Sequence, residues 1–504
     1  MGSGLSRGSA GAETANKWAV LALAGTAAFM TTLDASIVNI SLPAIAHTFG
    51  VALTGTIEWV IIGYLVVSGA CLLSLGRLAD MIGRRPILIA GLIVFTLGSA
   101  LCGAAPTLTA LVGARLFQGL GASMIFAVNL AMISHAFPPG ERGRALGLNA
   151  VIVSLGVSVG PSLGGLITQA LSWRWIFYVN VPVGAVALLA AVRILQERRR
   201  RDPGRFDPLG ASLLAVGLAG ITLGLSFGQE WGWGSPRLIA ALAVGAVALV
   251  AGLLVEAAVP APILDLGLLR NRVFSSAIVS FLVSQLALFA VGFLLPFYLE
   301  QLRGFSAERA GLLLTPFSIA LGATSPFSGM LADRFGSRWL SPFGLAVATA
   351  GLLSLAQLGP HSSNLALIWR LALAGFGQAI FQSPNTRALM GAAPRSQQGA
   401  ASGLLATGRT VGQSLSVALA GAVFAIMGGA AAGAALASPS GRLAPARIAA
   451  LQQTFVTGFR DALLVCAACA AVGVLTSLLR GEGERRAVDA EAQAAAALEV
   501  SGHP

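Results

Sequence analysis

One ten-residue segment occurs twice in the chain, GRLADMIGRR from Gly76 and GMLADRFGSR from Gly329, 253 positions apart and each time set between long apolar runs. Two further pairs keep nearly the same offset: RLFQGLGASMIF at Arg115 against RLALAGFGQAIF at Arg370, and GLNAVIVSLG at Gly147 against GLLATGRTVG at Gly403. Three matches in one order imply an internal duplication, so the fold must consist of two similar halves. The flanking runs identify the solvent. Of 504 residues, 56% are hydrophobic and 10% charged, with a mean hydropathy of +0.81. A water-soluble fold of that composition would expose large apolar patches. A bilayer removes the difficulty, because a helix of roughly 20 apolar residues spans it. Fourteen such runs are expected, starting near Trp18, Ile57, Pro86, Leu108, Ala145, Arg174, Pro208, Arg237, Val273, Ala310, Arg338, Asn364, Gly399 and Phe459.

A net charge of +12 would suit nucleic acid, but the positions of the basic residues decide otherwise. With the N-terminus inside, 22 of the 32 Lys and Arg residues fall in cytoplasmic segments, an asymmetry that follows the positive-inside rule. It implies an even number of spans, both termini in the cytoplasm, a lipid bilayer as the surrounding partner and no nucleic-acid partner. The first run is longer than the core of a secretory signal, carries Asp34 and lacks an A-x-A cleavage pattern, so it is read as a retained span. The single lysine, Lys17, follows Glu13, Thr14, Ala15 and Asn16, which excludes a G-x-x-x-x-G-K-[ST] phosphate loop. Cys466 and Cys469 lie in the last apolar run without polar ligands and are read as packing residues. His47, His135, His361 and His503 are scattered, so no metal site and no cofactor are expected.

Aligning the halves divides the chain into a cytoplasmic tail (1–17), a six-helix bundle (18–195), a basic cytoplasmic linker (196–207), two unmatched spans (208–257), a second six-helix bundle (273–479) and a cytoplasmic tail (480–504). The linker sequence QERRRRDPGRFDP is too polar for the membrane. The Ala-, Gly- and Ser-rich stretch from Gly428 to Thr457 is expected to be the longest external loop.

Five motifs in order resemble those of the major facilitator superfamily, specifically its fourteen-helix drug:proton antiporters of the EmrB/QacA type: LDASIVNISLP from Leu33, GRLADMIGRR, LVGARLFQGLGAS from Leu111, LGVSVGPSLGG from Leu155 and WRWIFYVNVPVG from Trp173. The resemblance implies an all-α membrane fold of two six-helix bundles plus two central helices in a bacterial cytoplasmic membrane. It also implies export of amphipathic compounds in exchange for protons.

Within that frame the polar residues acquire candidate roles. Asp34 lies midway through the first span, where an ionised carboxylate costs roughly 2.5 to 3.5 kcal/mol and therefore pairs, protonates or faces water. It is the leading proton site, the bland alternative being a permanent bridge to an arginine. Glu58, beside Trp59, is a second candidate or a headgroup-level residue. Arg115 never loses its proton and is positioned to tune Asp34; with Gln118, Gly119 and Phe126 it shares a helical face expected to wall a cavity. Arg409 is expected to do a comparable job in the other half. Gly156, Gly160 and Gly164 form a line at which another helix approaches closely, with Pro161 bending the helix and Gly165 extending the motif. The resemblance implies that this line favours exchange over leak. Gly76, Asp80, Gly83, Arg84 and Arg85, repeated in part by Asp333 and Arg334, are read as a gate in which a carboxylate bonds a helix N-terminus or an arginine across the interface. Tyr64, Asn129, Gln285, Phe289, Phe293, Gln378, Phe381 and Asn385 lie in spans that line the cavity of the superfamily fold, and such a mixture suits bulky amphipathic cations. A proton-linked carrier of one metabolite, or a self-resistance pump for a compound made by the host, fits the same features, and a periplasmic adaptor is left open. A non-transporting receptor or helix-bundle enzyme could share the scaffold, but no convergent nucleophile, base or metal ligands and no soluble output segment are visible.

Duplication with an even offset in spans places both signatures on one face. A cysteine replacing Arg85 or Arg334, in a chain freed of its other cysteines, should therefore react with an impermeant maleimide in everted vesicles and not in intact cells. Labelling from opposite sides would refute the duplication.

Overall fold

The computed structural model describes residues 16–51, 55–195, 206–232, 234–259, 262–263, 266–394, 397–437 and 444–479. The arginine-rich part of the linker, residues 1–15 and the tail 480–504 lie outside the described residues, while Lys17, read as the end of the first tail, opens the first helix. Among the described residues there is no strand, and fourteen helices longer than 14 residues carry the architecture. The first six are α1 (Lys17–Phe49), α2 (Trp59–Ile82), α3 (Arg84–Ala104), α4 (Leu108–Ala136), α5 (Arg142–Ala170) and α6 (Asn180–Ile194), the last continuing a single turn at Trp175–Tyr178. Two follow, α7 (Pro208–Trp231) and α8 (Pro236–Ala258). The last six are α9 (Arg272–Phe297), α10 (Ala307–Phe335), α11 (Leu340–Leu355), α12 (Asn364–Ala392), α13 (Gln398–Ile426) and α14 (Pro445–Leu478). Among the described residues thirteen spans are long and apolar enough to cross a membrane, whereas α11, at 16 residues, is shorter.

The two sextets pack alike. Contacts of α1 with α5, α2 with α4, α3 with α4 and α3 with α6 are repeated by α9 with α13, α10 with α12, α11 with α12 and α11 with α14. Polar detail repeats as well. Thr107 and Ser363 cap α4 and α12 by accepting from Ala110 N at 3.2 Å and Ala366 N at 3.1 Å, satisfying a backbone donor that hydrocarbon could not. Further along the same helices, Asn129 Nδ2 donates to the Ala24 carbonyl at 2.8 Å and Asn385 Nδ2 to the Ala277 carbonyl at 2.9 Å. Each amide ties the fourth helix of its bundle to the first, a cross-link useful where no hydrophobic driving force separates helix from lipid.

The halves meet in a crossed arrangement, α2 against α13 and α5 against α10. The inserted pair is held together by small residues. A Cβ on Gly217 would stand 2.8 Å from Leu249 N, and one on Gly220 2.8 Å from Gly245 Cα. Of this pair, α7 leans on both α2 and α13, so it lies along one seam between the halves.

The region from Gly428 to Thr457, expected as an external loop, is instead helical over Gly429–Ala437 and again from Pro445, where α14 starts fourteen residues before Phe459. Alanine has the highest helix propensity of any residue, and a proline in the first turn starts a helix rather than breaking it.

The closeness of the helices generates a test within α4. A Cβ on Gly121 would collide with the Phe95 backbone, whereas one on Gly113 meets nothing within 4 Å. Gly121→Val should lower the melting temperature in detergent, the overpacking costing about 1 to 3 kcal/mol, while Gly113→Val should leave it unchanged. Equal melting curves for the two would refute the packing.

Candidate functional site

Asp34 sits in the middle of α1 and is fully buried, with 0% exposure, as is Arg115 on α4. Arg115 Nη1 donates to Asp34 Oδ2 at 2.6 Å, and Nε donates to the Val60 carbonyl at 2.8 Å. The other carboxylate oxygen accepts from Gln118 Nε2 at 2.9 Å and from Asn180 Nδ2 at 2.8 Å. Gln118 is itself fixed, accepting from Arg115 Nη1 at 2.7 Å and donating to Ser99 Oγ at 2.6 Å. The Tyr64 ring closes the site, its centroid 4.2 Å from the guanidinium carbon. Both carboxylate oxygens are thus engaged by charge-assisted or amide donors, and removing either charge would leave the other buried and unpaired.

This network differs from the expected cavity wall. Arg115 and Gln118 turn into the first bundle, toward α1, α3 and α6, and Tyr64 stacks on Arg115 instead of lining a cavity. Glu58 ends a short turn before α2 and bonds to neither Asp34 nor Arg115. Two partners were not singled out from the sequence. Asn180 lies in the WRWIFYVNVPVG motif and is an amide within an apolar run, a legible signal; Ser99 is one hydroxyl among many and carries none.

A separate cavity of about 40 Å³ lies between the halves. Phe126 and Asn129 of α4, Asn149 and Val153 of α5, Phe281 of α9, Gln382, Ser383 and Thr386 of α12, and Arg409 of α13 form its walls. Of the residues expected there, Phe126 and Asn129 line it. Gln285 and Gln378 instead bond each other at 3.2 Å, Phe381 and Asn385 are fully buried in the second bundle, Phe293 packs on Phe297 at a centroid distance of 5.4 Å, and Phe289 is exposed elsewhere. All but Phe289 are consumed by helix packing. Arg409 likewise departs from expectation: among the described residues it has no hydrogen bond or ion pair with any acid, so it does not repeat the Asp34–Arg115 pairing. The position matching Arg115 is Arg370, whose Nε and Nη1 are buried without hydrogen-bond partners among the described residues.

At the end of the molecule carrying the repeated signature, each carboxylate holds the opposite half. Asp80 accepts from Gly399 N at 2.8 Å and Ala400 N at 2.9 Å, at the N-terminus of α13. Asp333 accepts from Gly143 N at 2.8 Å and Arg144 N at 2.9 Å, at the N-terminus of α5, and from Arg387 Nε at 2.9 Å. Backbone donors unsatisfied at a helix start, with the helix dipole behind them, make a natural carboxylate site. The glycines permit it. A Cβ on Gly76 would lie 2.5 Å from the Gly399 carbonyl oxygen, and Gly83 and Gly336 end α2 and α10 with φ of 105° and 78°. Arg84 stands 3.7 Å from Asp80, while Arg85 donates to the Val192 carbonyl at 3.0 Å and Arg334 lies over the Phe335 ring. Away from this end α5 and α10 diverge. A Cβ on Gly147 would be 2.5 Å from the Ser325 carbonyl oxygen, yet one on Gly322 would be 3.9 Å from Val151.

The glycine line of α5 packs on α1 at the turns flanking Asp34. A Cβ on Gly156 would strike Thr32 Oγ1, and one on Gly160 would stand 2.6 Å from Ser36 Cβ. Gly164 is buried, whereas Gly165 meets nothing within 4 Å and takes no part in the contact. The Pro161 side chain lies outside the described residues.

The Major Facilitator Superfamily profile matches residues 24–417. The multidrug resistance protein Stp of Mycobacterium tuberculosis is 36% identical over 402 residues, 80% of this chain and 74% of that protein. The riboflavin transporter RibZ of Clostridioides difficile is 33% identical over 412 residues, 81% of this chain and 88% of that protein. The crystal structure of the human organic anion transporter MFSD10 shows the same fold, with a TM-score of 0.59 at 17% identity over 90% of this chain and 99% of that one. The chain therefore belongs to the Major Facilitator Superfamily and is a multi-pass membrane transporter, not an enzyme.

Proposed function

We propose that the chain is a proton-coupled antiporter with fourteen spans and cytoplasmic termini, exporting amphipathic drugs or toxic small molecules across the bacterial cytoplasmic membrane by alternating access. The observation that carries this reading is the position of Asp34. It is buried against Arg115 and lies on the helix that the α5 glycines clasp. Through that contact the acid is linked to the gate, because the N-terminus of the same α5 is the segment that Asp333 holds. A proton on Asp34 cancels the charge paired with Arg115 and leaves a buried guanidinium seeking another acceptor, which disfavours the present packing of α1. Movement of α1 carries α5 and strains the Asp333 clamp, so proton binding and gate opening become one equilibrium.

With the gate carboxylates on the cytoplasmic face, the conformation is closed inward and its halves splay outward. A cavity of about 40 Å³ is far below the several hundred Å³ that a drug-sized ligand requires, so cargo enters only as the halves rock apart. A relative named for multidrug resistance supports the drug reading, and one named for riboflavin transport supports a proton-linked carrier of a specific metabolite as the second reading.

Asp34→Asn should abolish drug-driven proton movement in everted vesicles while the protein remains inserted; undiminished exchange would refute the assignment. Asp80→Asn removes one of the two clamps, each worth about 1.5 to 3 kcal/mol per charge-assisted bond. A cysteine at Leu146, on the cavity wall, should then react about tenfold faster from the cytoplasmic side. Unchanged labelling would show that the clamp does not set the conformation.

A further inference from the structure

We infer that the cavity between the halves takes an organic anion, its carboxylate, phenolate or sulfonate paired with Arg409; this rests on the exporter reading above and names the cargo class. Arg409 is the twelfth residue of the 29-residue α13, midway across the span, and it faces the cavity. A guanidinium is charged at every relevant pH, and within a membrane it must have an acid, carbonyls or a polar cavity beside it. Among the described residues Arg409 has none of the first two. What surrounds it is the third: the amides Asn129, Asn149 and Gln382 and the hydroxyls Ser383 and Thr386, with no Asp or Glu on any wall.

The nearby acid does not change this balance. Asp34 is sealed inside the first bundle with both oxygens engaged and its charge matched by Arg115. The field in the cavity is therefore that of an unmatched cation. An organic cation entering there meets a like charge, whereas an anion gains a charge-assisted hydrogen bond in a site with little water to screen it. The buried Asn149 Oδ1 has no hydrogen-bond partner among the described residues and offers an acceptor to a hydroxyl or amide of the same cargo. Phe126 and Phe281 supply the apolar surface for its ring system. The amphipathic cations expected from the sequence were inferred from aromatic content; the charge lining the cavity selects the opposite sign.

The test uses two dyes that share a xanthene ring and differ in charge, fluorescein as anion and rhodamine 123 as cation, titrated by fluorescence anisotropy against the full-length protein purified in non-ionic detergent. Fluorescein should bind the wild type more tightly than rhodamine 123. Arg409→Gln should weaken fluorescein about 10- to 100-fold, the loss of one hydrogen bond to a charged group, and leave rhodamine 123 unchanged or improved. Arg409→Lys should keep the preference for the anion, and together with the wild type decides the matter should Arg409→Gln fail to fold. No fluorescein binding by the wild type, preference for rhodamine 123, or unaltered fluorescein affinity in Arg409→Gln would overturn the inference. The titration needs no proton gradient. Anion binding that depends on Arg409, without gradient-driven transport in liposomes, would sink the exporter reading and leave this one standing.

Discussion

Hydrocarbon offers polar groups no partner, so every hydrogen-bonding atom placed within the bilayer must find one inside the protein or in a water-filled space. That constraint accounts for the helices, whose backbone groups satisfy one another, and for the side chains that interrupt the apolar runs. Asn129 and Asn385 bond first-helix carbonyls, Thr107 and Ser363 cap helix starts, and Asp80 and Asp333 occupy helix N-termini of the opposite half. Because the side chains of Asn129, Asn385, Asp80 and Asp333 are committed to partners on another helix, relocating a helix means exchanging partners. Exchange between discrete sets is what makes two conformations rather than a continuum.

The duplication and the membrane solvent were legible because they are written in offsets and composition. The contacts of the two carboxylates were legible too, since a carboxylate beside glycines at a helix junction admits few partners, and the structure brings Asp80 and Asp333 to helix N-termini. Arg85 and Arg334 were less so: a motif gives adjacency in the chain, while the direction of a long side chain depends on which helix stands beside it. The same limit explains the cavity. Phe381, Asn385 and Gln378 lie on cavity-lining spans, but facing is set by helix rotation, and rotation is set by close contacts such as Gly344 on the Phe381 backbone and Gly377 on Ala348. An aromatic count sees neither. The helix in Ala430-rich sequence was misjudged because small residues suit a loop and a tightly packed helix equally well.

Equivalent bonds fix the register between the halves and mark where they have diverged. The carbonyls of Ala24 and Ala277, bonded by Asn129 and Asn385, are 253 positions apart. The contacts of Gly156 with Thr32 and Gly412 with Gln285 keep the same spacing on the first helix of each half. By that register Asp34 corresponds to Ala287, which is fully buried, while Arg115 corresponds to Arg370. The second bundle has kept the cation and lost the acid, which leaves Nε and Nη1 of Arg370 without hydrogen-bond partners among the described residues.

The two halves therefore share a skeleton and divide the chemistry. The first encloses a neutralised pair whose charge changes only when a proton is gained or lost, and the second presents at the midplane a guanidinium whose charge never changes. The proposed proton-coupled export of an organic anion would need both kinds of group. A titratable site alone would couple to protons without holding cargo, and a permanent charge alone would hold cargo without sensing the gradient. Placing them on opposite sides of the seam means that the motion separating the halves alters the surroundings of both at once. The contact through which one can influence the other is the α5 helix, which touches Asp34's helix along its glycines, lines the cavity with Asn149 and Val153, and ends in the grip of Asp333.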